Sequence, residues 1–241
     1  MLSRFARHIG SHGTYLSLCK RMGRVPFPVQ VPPFGTIGTL TEVHSLHDNF
    51  VIGEIRDQQF EAALSAQSAP VIIDCGINVG ITVRWWLHLN PTTRVLGFDM
   101  MHEAHEFTVA RLGSLSKAYQ PFSVLLADRE GLPQECRFDD PLCGGNRIST
   151  EGAGHQARKF VTTTLDVCLQ DRPTAPVFLL KMDIEGSGHL ALAGGVEVLR
   201  RTQHVVIEFH SPAELAESNT LLARLGFKLR DFKSRNVWYG R

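Results

Sequence analysis

From Pro70 onward the chain alternates short apolar runs with longer amphipathic stretches, the pattern of strands and helices taking turns. Strands are predicted at 71–75, 94–99, 122–127, 177–183, 204–209, 227–232 and 236–239. Helices are predicted at 81–89, 102–113, 187–200 and 212–224, with Asn90-Pro91 and Gly226 as stop signals. Runs such as Val177-Phe178-Leu179-Leu180 and Val205-Val206-Ile207 show no polar alternation, so both faces of their strands must be covered. Together these features predict a doubly wound α/β sheet. Residues 129–163 break the rhythm with Gly, Pro, Asp and Asn, and read as a β-rich insertion or loop that could cover the substrate side. Upstream, 24–39 is rich in Pro and Gly and reads as an irregular connector with short extended pieces, while 57–66 has a helical composition.

Composition narrows the class. The 241 residues suit one large domain, expected over 46–241, after a basic extension and connector over 1–45. The apolar fraction of 43% supplies a substantial core. No run of about 18 apolar residues suggests a membrane span. A net charge of +1 argues against a general nucleic-acid binder. Cys19, Cys75, Cys136, Cys143 and Cys168 are odd in number and form no C-x-x-C pair, which points to free thiols in a reducing, cytoplasmic setting. No acid precedes Glu42, whereas Arg4, Arg7, Lys20, Arg21 and Arg24 do. Such a start fits a transit peptide or a membrane-surface helix, or a solvated helix packing on the domain or on a second copy in a homo-oligomer. Gly10, Gly13 and two histidines interrupt any amphipathic stripe, which favours the packing helix. No long apolar region follows the first arginines, so a secretory signal is not expected.

The chemistry begins where the first core strand ends. Ile73-Asp74-Cys75-Gly76-Ile77-Asn78-Val79-Gly80 runs from a buried strand into a tight glycine turn, and the next strand ends in Asp99. Glycines allow close backbone approach to a ligand, and an acid at the end of the second strand is placed for a ribose diol. A dinucleotide fingerprint requires G-x-G-x-x-G, yet Asn78 stands where the middle glycine belongs and a carboxylate opens the turn. That combination suits the ammonium group of S-adenosylmethionine better than a pyrophosphate. A nicotinamide-dependent oxidoreductase is therefore the weaker rival, and a strand-turn-helix without a ligand is the plain alternative.

Two further strands deliver polar groups to the sheet edge. Lys181-Met182-Asp183-Ile184-Glu185-Gly186 brings a lysine and two acids, and Glu208-Phe209-His210 an acid and a histidine. Such a set suits proton handling or a hard cation. Salt bridges and helix caps are the plain alternative, with one of Asp183 and Glu185 serving as an N-cap.

These segments, with Leu126-Ala127-Asp128-Arg129-Glu130-Gly131, Thr163-Thr164-Leu165-Asp166 and Val206-Ile207-Glu208-Phe209, resemble the FkbM family of S-adenosylmethionine-dependent methyltransferases over about residues 45–232. The resemblance implies a class I methyltransferase (Rossmann-like) fold, with a mostly parallel seven-stranded sheet whose last strand is antiparallel. It implies O-methylation of a hydroxyl on a sugar, polyketide or other small metabolite. Asp74, Gly76, Asn78 and Gly80 would hold the methionine end, Asp99 the ribose, and Met100 and Asp128 would stand near the adenine. Asp183 and Glu185 would face the methyl group or the acceptor. Two positions depart from the family pattern: Asp99-Met100 replaces Glu-Pro, and Gly188 replaces a second Glu.

The expected activity is thus O-methyl transfer to a small-molecule or glycan hydroxyl, with His210 as general base because its ordinary pKa suits neutral proton transfer. Metal is not expected; Mg²⁺ held by Asp183, Glu185 and Glu208 is the secondary alternative. A non-catalytic cofactor-binding interaction protein is the alternative from another class. Asp166 is read as a cap or turn former, Trp85 and Trp86 as helix packing, and Cys75 as a small packing residue. His8 and His12 have a metal-compatible spacing without a third ligand. Gly144-Gly145-Asn146-Arg147 reads as a flexible turn from which Arg147 could reach an anionic acceptor.

Overall fold

The computed structural model describes residues 12–146, 154–171 and 176–241. Arg4, Arg7, His8 and Arg147 lie outside those residues. The central sheet has seven strands: β1 (Val71–Cys75), β2 (Arg94–Asp99), β3 (Tyr119–Ser123), β4 (Val177–Met182), β5 (Thr202–Glu208), β6 (Lys228–Lys233) and β7 (Asn236–Gly240). Their order is β3-β2-β1-β4-β5-β7-β6, and β7 runs opposite to the other six. The chain leaves β1 toward one edge and returns through β4 on the other side. The switch point between β1 and β4 opens a crevice at the carboxyl ends of these strands, where open α/β sheets place ligands.

Side-chain alternation divides the core. Ile72, Val95, Leu179 and Val206 pack on one face, and Ile73, Cys75, Leu96, Leu180, Met182 and Ile207 on the other. The described helices are α1 (His12–Met22), α2 (Leu40–Leu46), α3 (Gln58–Ser65), α4 (Ile81–Leu89), α5 (His102–Leu112), α6 (Leu165–Cys168), α7 (Gly188–Ala193), α8 (Val196–Arg200) and α9 (Pro212–Arg224). The first face carries residues of α1 to α5, and the second carries residues of α6 to α9. Sheets covered on both faces give the uninterrupted apolar strands read from the sequence.

Three expectations shift. The predicted strand at 122–127 is two pieces: β3 begins earlier, and Leu125–Leu126 pairs instead with 162–163. Pro121 is tolerated because β3 is an edge strand. The predicted helix at 187–200 is split into α7 and α8 at Gly194-Gly195. A Cβ on Gly194 would lie 2.2 Å from the Ala127 carbonyl oxygen, so the chain needs glycine and a break there. The extension also holds more structure than expected. Val29–Val31 pairs with Gly35–Ile37, and Leu16, Cys19, Phe34, Val43 and Leu46 join the first-face core.

The wholly buried Glu42 fastens this N-terminal unit. Thr39 and Glu42 form a capping box on α2. The same carboxylate meets Arg84 of α4 at 3.2 Å and Arg111 of α5 at 2.9 Å. A π-helical stretch, His47–Ile52, follows α2 directly and ends at the left-handed Gly53. The insertion is β-rich as expected: 133–138 pairs antiparallel with 156–161. Elsewhere the plain readings hold. Asp166 accepts the Glu197 and Val198 amides at the start of α8, Trp85 and Trp86 are buried, and burial pushes the Cys75 thiol well up.

Candidate active site

A cavity of about 350 Å³ lies at the switch point. Of the expected residues, Gly76, Asn78, Asp99, Met100, Asp183 and Glu185 line it, whereas Asp74, Gly80, Asp128 and His210 do not.

The glycine turn is built by packing. Gly76 has φ +77, and a Cβ there would meet the Asp183 carbonyl oxygen at 1.7 Å. Gly80 has φ +67 and lies against Thr108 of α5, whose Oγ1 would stand 2.5 Å from a Cβ. Gly80 thus serves a contact within the protein, and Gly76 both packs against the Asp183 backbone and lines the cavity. Asn78 takes φ +50, which few side chains tolerate, and donates its backbone N–H to Asp99 at 3.1 Å.

Asp74 is a correction to the expected methionine contact. Its wholly buried carboxylate accepts from Thr82 Oγ1 at 2.7 Å and Trp86 Nε1 at 3.1 Å, both on α4. Lys181 Nζ stands 3.3 Å from Asp74 Oδ1, an ion-pair contact short of hydrogen-bond geometry. The same ammonium donates to the Gly76 carbonyl at 3.1 Å and to Asp183 at 3.3 Å. Burial works against the Lys181 charge, yet Asp74 and Asp183 outweigh it and raise the pKa. One lysine thus joins the turn after β1 to the loop after β4.

Asp99 sits at the cavity wall as expected. Oδ1 accepts the Met101 amide at 2.9 Å and Oδ2 the Asn78 amide, and each oxygen keeps further lone-pair capacity. Burial pushes its pKa up to about 6 against the pull of those two amides. Phe98, Met100, Val124, Leu125 and Leu126 give an apolar wall beside it. Asp128 departs from expectation: its carboxylate is paired with its neighbour Arg129 at 2.8 Å, while the preceding residues reach the cavity.

The opposite end is acidic. Asp183, Glu185 and Glu208 line it with Arg235, which holds Glu208 at 2.6 Å. Burial and the Asp183 charge push Glu208 up to about 8, with Arg235 pulling the other way. Glu185 has φ +46, a strained conformation for a residue with a side chain. Ser187, rather than Asp183 or Glu185, takes the N-cap position of α7. His210 lies behind the wall, with Nε2 3.2 Å from Glu185 Oε2 and 3.6 Å from Glu208 Oε1. Asp183, Glu185 and His210 each offer a ligand atom, all within 4.8 Å of one another.

The sequence reading missed one wall altogether. Thr41, His44, Ser45, Asp48, Asn49 and Glu54 close the cavity from α2, the π-helical stretch and the turn after it. Asp48 is tied to Lys20 of α1 and to His47. The Thr39-Leu40-Thr41-Glu42 capping box was the available signal for a helix here.

Comparison with known proteins adds a name to this geometry. The model of the methyltransferase FkbM domain matches residues 74–229. The 2-O-methyltransferase NoeI of Sinorhizobium fredii is 26% identical over 167 residues, covering 61% of this chain and 66% of that protein. The chain thus spans just under two thirds of the length of that relative. Among solved structures, Aeropyrum pernix fibrillarin with natively bound S-adenosyl-L-methionine aligns with TM-score 0.46 and 12% identity, over 79% of this chain and 76% of that one. Precorrin-6y C5,15-methyltransferase from Geobacter metallireducens gives TM-score 0.42 and 14% identity, over 78% and 88%.

Proposed function

The chain belongs to the FkbM methyltransferase family, and from that premise we propose that it transfers the methyl group of S-adenosylmethionine to a hydroxyl of a sugar, polyketide or other small metabolite. One observation carries the reading: a single cavity joins Asp99 and its apolar wall to the carboxylates Asp183, Glu185 and Glu208. The name of the related 2-O-methyltransferase agrees with a hydroxyl acceptor.

The residues divide the work. Asp99 has unused acceptor capacity for a ribose diol, and Phe98, Met100 and Leu126 offer apolar contact to a purine. Asn78 and the Gly76 turn border the space between them and the acidic end. When bound, S-adenosylmethionine supplies a methyl group already activated by its sulfonium. The protein then has to align the hydroxyl for in-line attack and accept its proton. The acidic end provides both orienting acceptors and proton acceptors.

Calorimetry tests the cofactor half. S-adenosylmethionine or its demethylated product should bind in the micromolar range, and NAD should not; the reverse result sinks the reading. Asp99→Ala should weaken binding by about 1.5–3 kcal/mol, the scale of hydrogen bonds to a charged group. The pH dependence follows in sign. The ionised carboxylate is the stronger acceptor, so affinity should fall as pH drops through about 6 and Asp99 is protonated. An affinity flat from pH 5 to 8 would move the ribose contact elsewhere.

The clustering of Asp183, Glu185 and His210 favours one second reading, a metal-assisted transfer in which a divalent cation lowers the acceptor hydroxyl's pKa. EDTA separates the two. Substantial turnover in chelator supports the metal-free form, and complete loss restored by Mg²⁺ or Mn²⁺ supports the other.

A further inference from the structure

The histidine behind the acidic end takes a hydrogen bond from the protein at Nδ1, while its buried Nε2 makes ion-pair contacts short of hydrogen-bond geometry. The Gly186 backbone N–H donates to His210 Nδ1 at 3.2 Å. A nitrogen that accepts a hydrogen bond cannot carry the proton, so in the neutral ring the hydrogen resides on Nε2. Nε2 faces Glu185 Oε2 and Glu208 Oε1 at 3.2 and 3.6 Å. Both of those glutamates line the cavity, and His210 does not. The ring therefore presents a donor to the carboxylates and no lone pair to an acceptor hydroxyl.

Its position is fixed from behind. Glu214, buried in the first turn of α9, accepts the His210 backbone N–H at 2.8 Å through Oε2. Its Oε1 accepts the Gly188 N–H at 3.0 Å, at the start of α7. A Cβ on Gly188 would approach that same Oε1 to 3.0 Å, so the glycine keeps room for the Glu214 carboxylate. The loop that ring and carboxylate hold between them is Glu185-Gly186, whose two residues have φ +46 and +85. Two successive left-handed residues, one with a full side chain, persist only where neighbouring contacts enforce them.

Building on the methyl-transfer reading, we propose that His210 is a positioning residue. It accepts from Gly186, sets its Nε2–H against the Glu185 carboxylate at 3.2 Å, and so holds that carboxylate at the acceptor end of the cavity. The hydroxyl proton then leaves to a cavity-lining carboxylate and not to the imidazole.

Two measurements test this on the full chain. In ¹⁵N NMR of histidine-labelled wild type, His210 is assigned by its absence from the His210→Gln spectrum. It should show the Nε2–H tautomer; the Nδ1–H tautomer would overturn the proposal. Methyl-transfer kinetics give the second arm. Gln offers an acceptor and a donor but no base, so His210→Gln should keep kcat within a few-fold of wild type. His210→Ala should lower kcat by roughly 10²-fold, as misplaced catalytic groups do, with cofactor affinity unchanged by calorimetry. A folded His210→Gln as impaired as His210→Ala would make the imidazole the base. A wild type that binds no S-adenosylmethionine sinks the methyl-transfer reading itself, whereas the Nδ1–H tautomer in an active enzyme sinks only the role of His210.

Discussion

The two loops that face each other across the cavity are made by opposite means. The turn after β1 is shaped by close contact: Gly76 against the Asp183 carbonyl, Gly80 against Thr108, and Asn78 bonded through its backbone to Asp99. The loop after β4 is shaped by charge, with His210 in contact with Glu185 and Glu208, and Arg235 paired to Glu208. Contacts between backbones leave little freedom, so the turn offers a fixed seat. A charged set can exchange partners when an acceptor arrives, at the cost of holding like charges close together. On the proposed reading, the rigid end is the seat for the cofactor and the responsive end is where the hydroxyl proton would move.

Lys181 joins the two, and removing it should have the largest effect. Lys181→Ala leaves Asp74 buried without its counter-ion, and breaking a buried pair from one side costs about 3–5 kcal/mol. Urea unfolding should show a loss of that order, and cofactor binding should weaken because both loops lose their common anchor. A variant of normal stability would mean that Thr82 and Trp86 suffice for Asp74.

Gly76→Ala comes next and probes the fixed end alone. Its Cβ would overlap the Asp183 carbonyl at a φ that disfavours alanine. Overpacking and backbone strain together predict a loss of about 2–4 kcal/mol. Thermal unfolding unchanged from wild type would show that the turn yields more readily than the contacts imply.

The smallest effect should come from the responsive end. Glu185→Gly removes a side chain from a left-handed position and should stabilise the fold by up to about 1 kcal/mol while lowering methyl transfer. Loss of stability instead would show that the Glu185 carboxylate contributes more than its backbone strain takes away.

How much of this was legible follows the same division. The apolar runs located β1, β2 and β4 to within a residue, and α4 and α9 at their full length, because burial on both faces leaves a pattern in the chain itself. The acids Asp99, Asp183 and Glu185 were placed at the cavity by strand ends alone. Asp74 was misassigned because sequence does not reveal which side of a strand's end a carboxylate turns to; Thr82 and Trp86 decide that from the next helix. His210 was read as a base from residue type; the Gly186 N–H that bonds its Nδ1 comes from another strand's loop and leaves no mark in the local sequence. The α2 wall escaped notice because it is short and its anchors, Arg84 and Arg111, are distant in sequence.

That wall has a consequence of its own. Residues 41–54 precede the stretch 74–229 that carries the family pattern, yet the buried Glu42 locks them to α4 and α5. The wall formed ahead of that stretch is therefore fastened to two helices within it. Substitution at Thr41, His44, Ser45, Asp48 or Asn49 alters the lining without touching the strands that carry Asp99 and Asp183. One wall of the chamber thus hangs on a single carboxylate between two arginines.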